Sequence, residues 1–190
     1  MRLVPLLLSI LAWGTPYWDR GYLVPFLISD ETWRTAAPRL IIGSAVFYSP
    51  GLMEAQAPYR GLSLEGYVDG VSLMSPTDIG ETVWVWRPGD GLAWEGPFLD
   101  LDCSQRADMW VNVTVNREVV EVGFETAERW GMATHLGESP WYRATQWRMD
   151  GVMVYIGEDP PLLRYAMPVD YRDWFLRLTQ EDPAWTRQGS

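Results

Sequence analysis

The sequence predicts an all-β chain that closes into a small barrel, and three observations carry that expectation. Short runs of β-branched and aromatic residues recur through the middle of the chain. They end at Pro- and Gly-containing turn signals, and helical spacing is confined to two short stretches. Leu40–Tyr48 is the first strand, stopped by Ser49-Pro50-Gly51. Gly70–Met74 is the second, closed by Ser75-Pro76-Thr77-Asp78. Glu81–Trp86 alternates cleanly, and Arg87–Gly91 turns the chain toward Phe98–Asp102. That strand alternates again, which places Phe98, Asp100 and Asp102 on one face. Val111–Val115 and Glu118–Val122 complete the set, and Phe124–Trp130 reads as two helical turns ended by Gly131. So many short strands need their edges closed, and a barrel does that.

The flanks read differently. Leu3–Trp13 is an apolar run behind Arg2, of signal-peptide length and too short to span a bilayer. Residues 1–14 are therefore expected to be a signal or a buried N-terminal segment, with an extracellular or cell-envelope location in the first case and a cytoplasmic one in the second. Residues 15–39 are rich in Trp, Pro and Gly and read as an irregular arm. Barrel residues are expected at 40–135, followed by a small C-terminal extension at 136–190. The extension holds a strand-like Gly151–Ile156, a turn at Glu158–Pro161, and a helix near 170–178 with Trp174 and Leu178 on one face.

Composition narrows the function. The 190 residues carry a net charge of −10, which argues against nucleic acid as a partner. All 15 cations are Arg, so Schiff-base chemistry through Lys and a phosphate loop built on Lys are both excluded. One Cys gives no intramolecular disulfide, and one His gives no multi-His metal site. Asp100, Asp102 and Asp108 lack the Gly and terminal Glu of a calcium loop, so neither metal nor cofactor is expected. No stretch approaches membrane length. The 12 Trp and 9 Tyr suit a large core or surfaces that stack on sugars.

From about residue 40 to 132 the order of elements resembles the RlpA-like double-psi β-barrel, the domain shared with expansin and barwin-like proteins. The resemblance rests on Ala45–Gly51, Pro76–Val85, the Pro88–Gly91 hairpin, the strand Phe98–Asp102, and Val120–Met132 with its strand-then-helix pattern. It implies a six-stranded double-psi barrel with one or two short helices, acting on cell walls or polysaccharides as a weak lytic transglycosylase or a glycan binder. The sequence departs from the family at Met74, where wall-cutting members carry His, and at Asp102-Cys-Ser-Gln-Arg106, where Asp-Arg-Gly-Pro is usual. Glu121 stands in place of a family aspartate.

A transglycosylase needs one carboxyl held protonated so that it can protonate the leaving oxygen, and burial beside a second carboxylate does this. Asp102, ending its strand, is the first candidate. Asp100 shares its predicted face, and Glu65 and Asp69 lie in the loop where the family holds acids. The competing reading makes Asp102 a strand-end carboxylate bonded to backbone N–H groups. Trp94, Trp110, Tyr48 and Tyr67 are the candidate substrate-binding aromatics, while Trp84 and Trp86 read either as groove or, more often for paired aromatics, as core. Cys103 with His135 forms a remote thiol-hydrolase alternative. The expected partner is a polysaccharide or peptidoglycan. The rival function is a non-catalytic structural or interaction module that meets a protein through the C-terminal extension.

Overall fold

The computed structural model describes residues 16–19, 22–25, 38–104, 106–137 and 141–181. The expected signal at 1–14, much of the arm at 15–39 and the polar end from 182 lie outside the described residues. Within the arm, Pro16–Asp19 (β1) pairs antiparallel with Tyr22–Pro25 (β2), so part of a stretch expected to be irregular is regular.

A closed six-stranded barrel forms the body, as the strand pattern predicted. Its strands are Leu40–Phe47 (β3), Gly70–Leu73 (β4), Thr82–Trp86 (β5), Glu95–Cys103 (β6), Glu118–Val122 (β7) and Met149–Ile156 (β10). Around the barrel the order is β3, β10, β5, β6, β4, β7 and back to β3. The β4–β6 and β3–β7 pairs are parallel and the other four are antiparallel. No strand edge of the ring is left open, which is the benefit of closure. Val169–Asp170 (β11) adds a short parallel stretch to β3 at Ile41 and Ile42, below the residues that β7 covers.

Two strand assignments need correction. Val111–Val115 is not a strand, because Arg106–Thr114 forms a helix (α2). Met109 and Val113, one turn apart, are both buried, while Val111 and Val115 are exposed. Burial at i and i+4 outweighs the β preference of the valines. The missing sixth strand is β10, from the stretch assigned to the C-terminal extension, and it bridges β3 and β5. The barrel therefore does not end at residue 135.

Alternation sets the core. Val83 and Val85 of β5, Val120 and Val122 of β7, and Val152, Val154 and Ile156 of β10 are all buried with Phe98 and Ile41 in one apolar cluster. Trp84 and Trp86 therefore stand on the outer face of β5, half-buried, and the core reading for this pair does not hold. Gly43 is required where β3 meets β7. A Cβ there would sit 2.3 Å from the Arg117 carbonyl oxygen and 2.5 Å from Val119 Cγ1.

Helices cover the outside. Leu52–Arg60 (α1), which the sequence reading did not assign, begins after Gly51 and ends at Gly61, both left-handed. Its Met53 and Ala57 pack on Leu99 and Leu101, the outer face of β6. Phe124–Arg129 (α3) lies where expected. Tyr171–Glu181 (α4) contains the expected helix near 170–178, and it buries Tyr171, Phe175 and Thr179 along one stripe. Ala133–His135 (β8) and Tyr142–Ala144 (β9) form a separate pair beside α3. No helix among the described residues is long and apolar enough to cross a membrane.

Candidate functional site

The strand that carries Asp100 and Asp102 changes its pairing between them. On β6 the register against β4 slips, with Val71 opposite Asp100 and Ser72 opposite Asp102, so Leu101 is an extra residue. The two aspartates consequently meet different surroundings. Asp100 is wholly buried; its Oδ1 accepts the Leu73 N–H at 3.1 Å, and its Oδ2 has no hydrogen-bond partner among the described residues. Burial, aided by nearby Asp78, pushes its carboxyl well above the usual range.

Asp102 lies under the end of α1. Arg60 Nη2 donates to its Oδ1 at 2.7 Å, the Tyr48 hydroxyl donates to its Oδ2 at 3.3 Å, and Arg60 Nε holds the Leu101 carbonyl at 3.1 Å. Ser72 of β4 faces Asp102 on one side and Glu121 on the other, so the two carboxyl residues flank β4 in one row across three strands. Burial raises Asp102 although Arg60 opposes it, and burial with the charges of Glu118 and Asp102 pushes Glu121 up to about 8. The side chain of Asp102 is 1% exposed. Bonded on both oxygens and covered, it offers no surface to a glycosidic oxygen. Tyr48, proposed as a substrate aromatic, is spent on holding this carboxyl.

Asp69 is a capping residue. Gly123, at the N-cap of α3, has no side chain to satisfy the first turn, and Asp69 reaches across to do so. Its Oδ2 accepts the Thr126 N–H at 3.3 Å and the Thr126 hydroxyl, and its Oδ1 accepts the Gly70 N–H at 2.7 Å. A Cβ at Gly123 would meet both carboxylate oxygens at 2.4 Å. Glu54 and Glu125 bring their carboxylates near Asp69, with one oxygen of each of the three within 4.8 Å of the others. Burial and this crowding push Glu54 up to about 7. Three acids of this kind suit a divalent cation or a retained proton, and the hydrogen bonds of Asp69 serve the helix cap in either case.

Glu65 and Tyr67 come together elsewhere. On the barrel's flank they line a cleft of about 280 Å³ with Thr82, Trp84, Pro97 and Glu158. Each wall is pinned by backbone. The Val68 N–H donates to the Pro97 carbonyl at 2.8 Å, tying the Glu65–Tyr67 loop to the start of β6. The Gly157 N–H donates to the Thr82 carbonyl at 2.8 Å, tying the segment after β10 to β5. The Thr82 hydroxyl then donates to Glu158 Oε1 at 3.1 Å and orients that carboxylate. Gly96 lies against the Trp84 ring, where a Cβ would come within 2.9 Å of Cε3. The cleft thus joins two aromatic side chains, one proline, two hydroxyls and two carboxylates, a mixture suited to flat polar molecules.

Of the remaining candidates, Trp94 donates its indole N–H to the Pro161 carbonyl at 2.7 Å and packs on Tyr155, which fastens the 158–161 segment. Trp110 lies on α2, 48% exposed, with its ring 6.1 Å from Phe175. Neither joins the cleft. The thiol alternative falls on two counts. Burial and the two aspartates push Cys103 up to about 12, and His135 Nδ1 is 3.0 Å from Glu128 with its ring edge on Phe124. Sequence reasoning missed Arg60, Thr82, Pro97 and Glu158 as site residues. Glu158 is 76 positions from Thr82, and only the closure of β10 onto β5 brings them together.

No known protein family, curated protein or solved structure matches this chain.

Proposed function

We propose that this protein is a polysaccharide-directed barrel that holds a glycan in the flank cleft and does not cleave it through Asp102. The cleft carries the reading: it unites two of the candidate residues, Glu65 and Tyr67, with the outward-facing Trp84 and a second carboxylate, Glu158. Aromatic faces stack on the apolar side of a sugar ring, while carboxylates and a hydroxyl accept and donate to its rim. The resemblance to wall-directed double-psi barrels points the same way, and an export signal at residues 1–14 would bring the protein to such glycans. Asp102 serves the fold in this account, because it anchors α1 to β6 through Arg60.

A pull-down with peptidoglycan sacculi and other insoluble polysaccharides tests the reading. The wild type is expected to be depleted from solution, Trp84→Ala and Tyr67→Ala to lose binding at least tenfold, and Asp102→Asn to bind as the wild type does. No binding by the wild type, or release of anhydro-sugars that Asp102→Asn abolishes, would overturn it.

One observation favours the rival, an interaction module. Leu136, Trp141, Trp147, Leu162, Tyr165 and Met167 are large apolar side chains exposed by half or more, all between residues 136 and 167. Trp147 lies flat on Phe47 at 5.3 Å and is still 64% exposed. Exposed apolar groups of this size mark contact surfaces for proteins as well as sugars. The two readings separate on whether a glycan occupies the cleft at Trp84 or a protein partner covers Trp141 and Trp147.

A further inference from the structure

We infer that the flank cleft selects glycans bearing free ammonium groups, that is, amino sugars without N-acylation, over neutral or acidic ones. This rests on the reading of the cleft as a glycan site and adds its chemical class. Glu65 and Glu158 both line the cavity, and none of its lining residues is cationic. The chain has no Lys, and its 15 Arg are outnumbered by 25 carboxylates, so the surrounding field is negative as well.

Two carboxylates lining one cleft favour a cationic ligand over a neutral or anionic one. The aromatic walls add to the effect. An ammonium placed over Trp84 or Tyr67 is attracted by the ring face, while the sugar's C–H face stacks on the same surface. Thr82 fixes Glu158 by its Oε1, so this carboxylate is oriented before a ligand arrives. A cavity of about 280 Å³ is small for a ligand site and suits one ring at a time. An N-acetyl group removes the charge and enlarges the substituent. A uronate or a phosphate-bearing glycan meets repulsion from both glutamates.

The test compares the full chain's binding to a glucosamine oligomer of five or six units with its binding to the fully N-acetylated oligomer of equal length, by calorimetry at pH 6. The free amine form is expected to bind at least tenfold more tightly, and the preference to shrink toward unity in 1 M salt. Glu65→Gln with Glu158→Gln is expected to abolish the preference, bringing the affinities of the two oligomers within about threefold of each other. Equal or tighter binding of the acetylated oligomer by the wild type overturns the selectivity and leaves the glycan reading standing. A preference that persists in the double variant assigns the effect to the chain's overall charge and overturns the proposal. If neither oligomer binds at millimolar concentration, the glycan reading fails together with it.

Discussion

Arg60→Ala is expected to destabilise the fold by about 3–5 kcal/mol, the range for removing one partner of a buried ion pair. Arg60 is 16% exposed and Asp102 is 1% exposed, and they meet at 2.7 Å. The loss has two parts. Asp102 is left as a covered charge without its counter-ion, and the Leu101 carbonyl at the β6 bulge loses its donor. Because burial already raises Asp102, the stranded group takes up a proton as pH falls, so the loss should be smaller at pH 5 than at pH 8. Adding Asp102→Asn to Arg60→Ala should recover a large part of the deficit, since it removes the unpaired charge. Urea unfolding of the four variants of this cycle measures each quantity. A loss below 1 kcal/mol for Arg60→Ala would mean that the pair contributes no more than an exposed one.

Stability is expected to fall as pH rises from about 5 to 8. Burial pushes Glu118 up to about 7, and burial with neighbouring Glu118 and Asp102 pushes Glu121 up to about 8. Both folded-state values lie above the unfolded range near 4.3. The folded protein therefore binds more protons than the unfolded chain between those limits. Each carboxyl's contribution is complete below the unfolded value and is lost as pH climbs through the folded one. Each contributes a slope of up to about 1.4 kcal/mol per pH unit in that window, so together they reach several kcal/mol. Asp78, raised to about 6, and Glu54, raised to about 7, bend the curve the same way. Denaturant midpoints across pH 5 to 8 check this. Glu118→Gln and Glu121→Gln should each flatten the curve, and a midpoint that rises with pH would contradict the assignment.

The barrel was legible because its strands alternate. Val83 and Val85, or Val152 and Val154, show a period of two that only a half-buried strand requires. The α2 segment misled because Val111-Asn-Val-Thr-Val115 satisfies the strand template locally, while Met109 and Val113 satisfy a helix whose burial is tertiary. The bulge at Leu101 was invisible for a related reason. A one-residue slip leaves no mark in composition, yet it sends Asp100 and Asp102 to different neighbours. Asp102 was found as an acid at a strand end. Its partner Arg60 lies 42 positions away on a helix with no clear apolar periodicity in the sequence. Glu65 and Tyr67 were named without their counterparts, since Trp84 and Glu158 become neighbours of that loop only when the ring of strands closes.

Indole N–H resonances give the sharpest view of where a glycan sits. With the tryptophans assigned by substitution, the protein is titrated with a soluble oligosaccharide and each indole signal is followed to saturation. A saturable shift is expected at Trp84, with Trp141 and Trp147 unmoved. Saturable shifts at Trp141 and Trp147 beside a stationary Trp84 would place the ligand on the exposed aromatic surface and contradict the flank cleft as the site.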